Sequence, residues 1–291
     1  MHWQSYHHVY TGAGHSISGN VVVATDVHSP QLQTHRNVLV YLPPSYDHSD
    51  RHYPVLYMHD GQNLFDNATS FSGEWQVDET MEMLSREEQL EAIVVGVPNG
   101  GSERLNEYSP FVDAQYGGGK GNEYVQFLTD TVKPLVDASF RTLPERGNTG
   151  VMGSSMGGLI SLYAFFYRAD YFGFAGVMSP SLWFAKGAVY EYVESMPFRR
   201  GKLYLDAGTR EFGNVWPEVL TMRARSRRYY ASVRRIKRIL AKKGYRPVRD
   251  MMHVEEKWAT HNEAAWARRL PNALRFFMIN TTAYSHKTAV S

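Results

Sequence analysis

Residues 153–158 read Gly-Ser-Ser-Met-Gly-Gly, two serines set among three glycines. Only Ser155 has glycine both two places before it, Gly153, and two places after it, Gly157; Ser154 has Met152 and Met156 at those places. A Gly-x-Ser-x-Gly run lets a chain turn sharply from strand into helix, with the serine hydroxyl projecting from the top of a sheet. The chemistry available to such a serine is attack on a carbonyl carbon. The competing explanation is a serine that merely caps a helix, with glycines as punctuation. The apolar runs on either side, strand-like before and helix-like after, favour the nucleophile.

A serine hydroxyl attacks poorly until a base takes its proton. With this kind of elbow the partners follow in the order serine, acid, histidine. Nine of the twelve histidines precede Ser155, which leaves His253, His261 and His286. His286 falls in a polar tail, and His253 lies inside a strand-like run, "MMHVEEKW". His261, in "ATHNEAAW", comes just after that strand and just before a helix, with Asn262 as a possible cap. It is therefore the expected base. An acid that follows a strand between Ser155 and His261 is either Asp206 or Glu211, both in "LYLDAGTREFG". Spacing leans towards Glu211, which lies past Gly208 in the loop, and leaves Asp206 open as the alternative. Acyl transfer also needs donors for a tetrahedral oxyanion. One expected donor is the amide of Met156, directly after the nucleophile. The other comes from the loop after the third strand, "MHDGQNLF", at Gln62 or Gly61.

These groups must be carried by strands and helices in alternation. Residues 19–25 and 37–44 read as antiparallel edge strands, and 53–62 and 90–101 as buried strands. A helical stripe runs through 122–140, with Tyr124, Phe127, Leu128 and Val132 at i, i+3, i+4 spacing. Strand 149–152, a helix from 156, strands 173–181 and 202–211, a helix over 218–243, a strand over 249–257 and a helix over 262–278 complete the alternation. The pattern predicts an α/β fold of the α/β-hydrolase type: a mostly parallel sheet, antiparallel N-terminal strands, and helices on both faces. No stretch reads as a linker, so a single domain is expected over 1–291, with its core at about 19–278 and a polar tail at 280–291. Open α/β sheets work beyond the carboxyl ends of their strands. The aromatic residues near those ends are Phe65, Trp75, Tyr108, Trp183 and Trp216. Of these, Trp183 leads as a pocket residue, with Phe65 and Tyr108 beside it.

The composition narrows the function classes. The 291 residues are 43% hydrophobic and 21% charged, which excludes a disordered chain. A net charge of +2 gives the whole chain no strong electrostatic partner. The absence of cysteine excludes disulfides, a thiol nucleophile and thiolate metal sites. No signal-like N-terminus and no apolar run near 20 residues is evident, so a cytoplasmic protein without membrane association is expected. "QYGGGKG" at 115–121 lacks the spacing and the hydroxyl residue of a phosphate loop. His2, His7, His8 and His15 lack the carboxylates of a dedicated metal site. Residues 223–243 carry ten Arg or Lys and no acid, yet Val233, Ile236, Ile239 and Leu240 form an apolar stripe there. That reads as an amphipathic helix with a solvated basic face, not as a nucleic-acid site.

The run "RTLPERGNTGVMGSSMGGLISLYAFF…GVMSPSLWF" resembles the esterase family of α/β-hydrolases related to esterase D, with enterochelin-esterase-like and feruloyl-esterase-like members. "YPVLYMHDGQNLFD", "EYSP", "YLDAGTRE" and "HNEAAWARRLPNALRFF" resemble it too, so the likeness spans about residues 35–278. The resemblance implies Ser155 as nucleophile and His261 as base. It favours Glu211 as the acid, three residues after the glycine of a Gly-Thr-x-acid turn. It also implies catalysis without a metal or organic cofactor. The expected activity is hydrolysis of a small-molecule ester through an acyl-enzyme. The alternatives are acyl transfer to an alcohol, and a non-catalytic anion-binding protein on the same scaffold. The number of copies in an assembly is not legible.

Overall fold

The computed structural model describes residues 2–213 and 219–279. The expected tail at 280–291 and Trp216 lie outside the described residues. One sheet of nine strands runs through the molecule. In chain order its strands are β1 (Trp3–Ser5), β2 (Asn20–Ser29), β3 (Thr34–Leu42), β4 (Val55–His59) and β5 (Ile93–Val97). They continue with β6 (Thr149–Ser154), β7 (Phe174–Met178), β8 (Lys202–Gly208) and β9 (Met251–Glu256). Across the sheet the order is β1-β2-β3-β5-β4-β6-β7-β8-β9. The first three strands meander antiparallel onto β5, and β5, β4 and β6 through β9 are all parallel.

The parallel strands read as continuous apolar runs because both faces are covered. Val55–His59, Ile93–Val97 and Phe174–Met178 are buried at every position, as expected for strands sandwiched by helices. One face packs the helices Met156–Tyr167, Ala188–Ser195 and Val219–Lys243 and the helical run Gly121–Ser139, through Leu159, Val193, Ile236 and Val132. The other face packs Val77–Glu88 and Glu263–Met278, through Met81, Leu84, Leu274 and Phe277.

Several boundaries differ from the sequence expectation. The strands expected at the edge are not the edge: β1 pairs outside β2, and β3 pairs inward with β5. β1 is three residues long, too short to show an alternation. The helices Val77–Glu88 and Ala188–Ser195 were not anticipated. In the first, Val77, Met81 and Leu84 are buried at i, i+4, i+7, a legible stripe among acidic residues. The run over 121–139 passes through a π-helical stretch, Phe127–Val132, just before Pro134. The missing amide of a proline is one reason for such a widened turn. The basic helix carries Val233, Ile236, Ile239 and Leu240 buried against the sheet.

The carboxyl ends of β4 through β9 share one rim. Asp60–Asn63, Pro98–Asn99, Ser155, Ser179–Ser181, Thr209–Glu211 and Lys257–His261 all follow strands there, so the candidate site residues gather on that rim.

Candidate active site

Ser154 ends β6, paired in register with Met178, and is buried at 4% exposure. Ser155 is the first residue off the strand. Its backbone sits at φ 58°, ψ −119°, a region that L-residues avoid. Hydrogen bonds hold it there: its amide donates to Met178 O (3.0 Å), and its carbonyl accepts from Leu159 N (3.1 Å) and Ser181 N (2.9 Å). A Cβ on Gly153 would come within 2.8 Å of the His59 ring and 3.0 Å of the Gly157 backbone, so the glycine is needed for close approach. The hydroxyl of Ser155 lies 3.1 Å from that of Ser181. The helix Met156–Tyr167 begins immediately after, so the Met156 amide is one of its first, unpaired donors at the positive end of the helix dipole.

His261 follows β9 and precedes the last helix, where the Asn262 side chain accepts from Ala265 N. Thus the cap and the imidazole are neighbours, and neither explanation displaces the other. His261 Nδ1 lies 2.6 Å from Glu211 Oε2, and its backbone amide donates to Glu211 O at 3.1 Å. The ring stands edge-on between Tyr229 (5.5 Å) and Trp266 (5.0 Å). Glu211 is buried at 3% exposure. Its second oxygen, Oε1, accepts from the Ser179 hydroxyl at 2.8 Å and from Gly208 N.

Asp206 sits elsewhere. It is fully buried within β8, ion-paired to Arg269 at 2.9 Å, and accepts from Ser179 N at 2.9 Å. Arg269 reaches on to the Ser179 hydroxyl (3.0 Å) and to Glu256 (2.9 Å). The Tyr229 hydroxyl donates to Ser179 O at 2.6 Å. Ser179, itself at φ 35°, is therefore the node between the Asp206–Arg269 pair and Glu211. The sequence reading passed over Ser179 and Arg269. A serine in a Ser-Pro-Ser loop and an arginine on an amphipathic helix carry no mark of this linkage.

The loop after β4 is held from below. Asp60 is left-handed (φ 55°), and a Cβ on Gly61 would stand 2.7 Å from the backbone of Gly96–Pro98. Arg104 grips both Asp60 oxygens at 2.7 and 2.8 Å, and Asn99 adds a bond at 2.6 Å. Burial pushes the Asp60 carboxyl upward, but Arg104 and Asn99 outweigh it and hold it below the usual range. Gln62 is fixed through Oε1, which accepts from Asn99 N (3.2 Å), and through its carbonyl, which accepts from Thr69 (3.1 Å).

His59, at the end of β4, lies under the elbow with Nδ1 2.7 Å from the Tyr124 hydroxyl. Burial drives it down to about 3; Asp60 opposes that shift and Arg104 adds to it. The unfolded chain therefore binds a proton at His59 below its ordinary value of 6.5, and the folded one does not. Its stabilising contribution is complete above about pH 6.5 and is lost as pH falls from there towards 3 and the unfolded chain takes up the proton. Urea titrations across that range should show a shallower acid decline in His59→Asn than in the parent.

Ser155 and His261 both line two adjoining lobes. The larger, about 890 Å³, is walled by Gln62, Phe71, Trp75, Asn99, Arg104 and Trp266. The smaller, about 510 Å³, is walled by Tyr116, Trp183, Phe212, Arg225, Arg228 and Tyr229. Trp183 thus reaches the cavity, 48% exposed at its mouth. Phe65 and Tyr108 do not: at 1% and 0% exposure they are packed into the core. Tyr108 lies beneath the Asp60 loop, its hydroxyl accepting from Asp60 N at 3.0 Å. Phe65 faces inward because the short helical turn Gly61–Asn63 rotates the chain after the strand. Phe71, missed in the sequence, is 92% exposed on the rim of the larger lobe.

A nine-stranded, mostly parallel sheet with antiparallel leading strands, helices on both faces and a strained serine turn at its rim defines an α/β-hydrolase. The chain belongs to the esterase family: residues 29–277 match the family model described as "Putative esterase", and the protein is an esterase-type hydrolase. An uncharacterized Bacillus subtilis (strain 168) protein, YbbA, is 26% identical over 248 residues, 83% of this chain and 92% of that one. The siderophore hydrolase EstB from Aspergillus nidulans shares the fold with a TM-score of 0.70 at 19% identity, covering 88% of this chain and 95% of its own. The BES protein from Bacillus cereus does so with 0.69 at 18%, covering 92% and 98%. Among the described residues no helix is long and apolar enough to cross a membrane.

Proposed function

We propose that this protein hydrolyses a small-molecule carboxylic ester through an acyl-enzyme on Ser155. The observation that carries the reading is the 2.6 Å contact between Glu211 and His261 Nδ1 on a cavity that Ser155 also lines. The buried carboxylate keeps the Nδ1 proton in place, which leaves Nε2 free to accept. Ser155 turns from Ser181 to the imidazole as substrate arrives, the tightening typical of a complex relative to the free enzyme. The hydroxyl then gives its proton to Nε2 and its oxygen bonds to the carbonyl carbon. The Met156 amide and the amide of Gln62, or of its neighbour Gly61, hold the oxyanion. Collapse expels the alcohol, which takes the proton from the imidazolium. Water, deprotonated by His261, releases the acid and restores Ser155.

No step needs a metal or an organic cofactor. The two lobes suit an ester with a sizeable group on each side of the scissile bond, one of them in the smaller, aromatic lobe beside Arg225 and Arg228. Treatment with a fluorophosphonate followed by peptide mapping tests the reading. Label on Ser155, blocked by prior incubation with an aryl ester, is the expected result. An unlabelled Ser155 in a folded protein that hydrolyses no aryl ester would favour the non-catalytic alternative.

A further inference from the structure

Glu74, Asp78 and Glu79 each bring one carboxylate oxygen to within 4.8 Å of the other two. Two of them occupy the first turn of the helix Val77–Glu88, where the helix dipole favours acids. That preference explains neither their convergence with Glu74 nor the burial of Asp78. Asp78 is fully buried. Its Oδ1 meets no donor, and neither do the buried oxygens Glu74 Oε1 and Glu79 Oε2. Neutral donors reach the trio: Ser18 N on Asp78 (2.6 Å), and the Ser16 hydroxyl (2.9 Å) and the Asn67 amide on Glu74. Three other buried carboxylates are matched by a guanidinium, Asp206 by Arg269, Asp60 by Arg104 and Glu107 by Arg36, and Glu211 and Asp66 each meet a histidine. Ionised carboxylates at this spacing repel one another and are costly to bury, and burial together with the neighbouring Glu79 holds the Asp78 carboxyl well above the usual carboxylate range.

We propose that Glu74, Asp78 and Glu79 form a binding site for a hard divalent cation of the calcium or magnesium class. All three ligands are oxygens, the donor set such ions select over softer metals, and the protons that burial holds on the free carboxyls leave as the ion binds. Water completes the coordination sphere. The site is distinct from the catalytic rim but joined to it. Glu74 precedes Trp75, which walls the larger lobe together with Phe71 and Ser72. Ser16, whose amide donates to Asp66 at 3.1 Å, and Ser18 tie the N-terminal segment to the same region. A bound cation fastens the N-terminal segment, the 66–76 loop and the start of the helix into one unit. The role is structural, and it adds to the expectation of metal-free catalysis without replacing it.

Terbium titration into EDTA-treated, dialysed protein tests the site, with Trp75 as the adjacent sensitiser. The expected result is sensitised emission that saturates at one ion per chain and is displaced by Ca²⁺ or Mg²⁺. Asp78→Asn should weaken terbium binding about tenfold or more through the loss of ligand charge. Glu87→Gln, on the exposed side of the same helix, should leave binding unchanged. The Tm of the parent should rise with Ca²⁺ or Mg²⁺, and that of Asp78→Asn should not respond. If Asp78→Asn does not fold, Glu79→Gln takes its place with the same expectation. The absence of saturable emission in the parent would overturn the site. So would Asp78→Asn or Glu79→Gln binding terbium as the parent does. Neither readout depends on ester turnover, so failure here leaves the esterase reading standing, and the reverse.

Discussion

Replacing Ser155 with alanine lowers kcat/KM on aryl esters by about 10⁴–10⁶ while the protein stays folded. The fold should tolerate the change because alanine has the same Cβ, and the strained turn is held by backbone bonds to Met178, Leu159 and Ser181. The one bond lost, to the Ser181 hydroxyl, is worth about 1 kcal/mol or less. The residual rate comes from the oxyanion donors and from binding alone, which still exceed the uncatalysed reaction. Ser154→Ala is the control. Ser154 lies within β6 and not on the turn, so its loss should cost less than about tenfold. Steady-state kinetics with purified variants would decide the matter. Comparable losses at both serines, or retention of activity in Ser155→Ala, would remove the nucleophile from Ser155.

The places of the candidate site residues along the fold were more legible than the groups that support them. The elbow could be read because glycine spacing and the strand–turn–helix context are both local. The position of His261 could be read because only three histidines follow the serine and just one of them falls between a strand and the last helix. The parallel strands showed as unbroken apolar runs because both of their faces are buried. What stayed hidden was non-local. Arg269 lies 63 residues from Asp206, and no pattern in either segment announces the pair. Arg104 lies 44 residues from Asp60, on a helix of four residues. Phe65 and Tyr108 seemed suited to a pocket by their place near strand ends. The helical turn after the strand at Phe65 and the four-residue helix that Tyr108 ends, neither of which sequence periodicity encodes over such short lengths, sent both rings into the core. Charge composition likewise marked the basic helix but not the acidic trio, because three acids over six residues look like any solvated helix start.

The carboxylate pair separates function from scaffolding most sharply. In Glu211→Gln, the amide oxygen can still accept from Ser179 and Gly208 N, so folding should be little disturbed. Its NH₂ group then faces His261 Nδ1. An amide donor there forces Nδ1 to accept, which moves the ring proton to Nε2 and leaves no base facing Ser155. The expected fall in kcat is about 10⁴, the scale of losing the correct tautomer. Asp206→Asn acts in the opposite sense. It leaves Arg269, 3% exposed along its side chain, with Glu256 as its remaining ion pair and Glu211 as a more distant charge. Breaking a buried pair in this way costs about 3 kcal/mol, at the low end because Glu256 remains. The Tm should therefore drop by several degrees. The kcat of the folded fraction should fall by no more than about tenfold, since Asp206 reaches His261 only through Ser179 and Glu211. Thermal melts and kinetics on the two variants side by side give a crossed pattern: one protein stable and nearly inactive, the other active and less stable. The reverse pattern would transfer the acid's role to Asp206 and make the 2.6 Å contact of Glu211 a structural one.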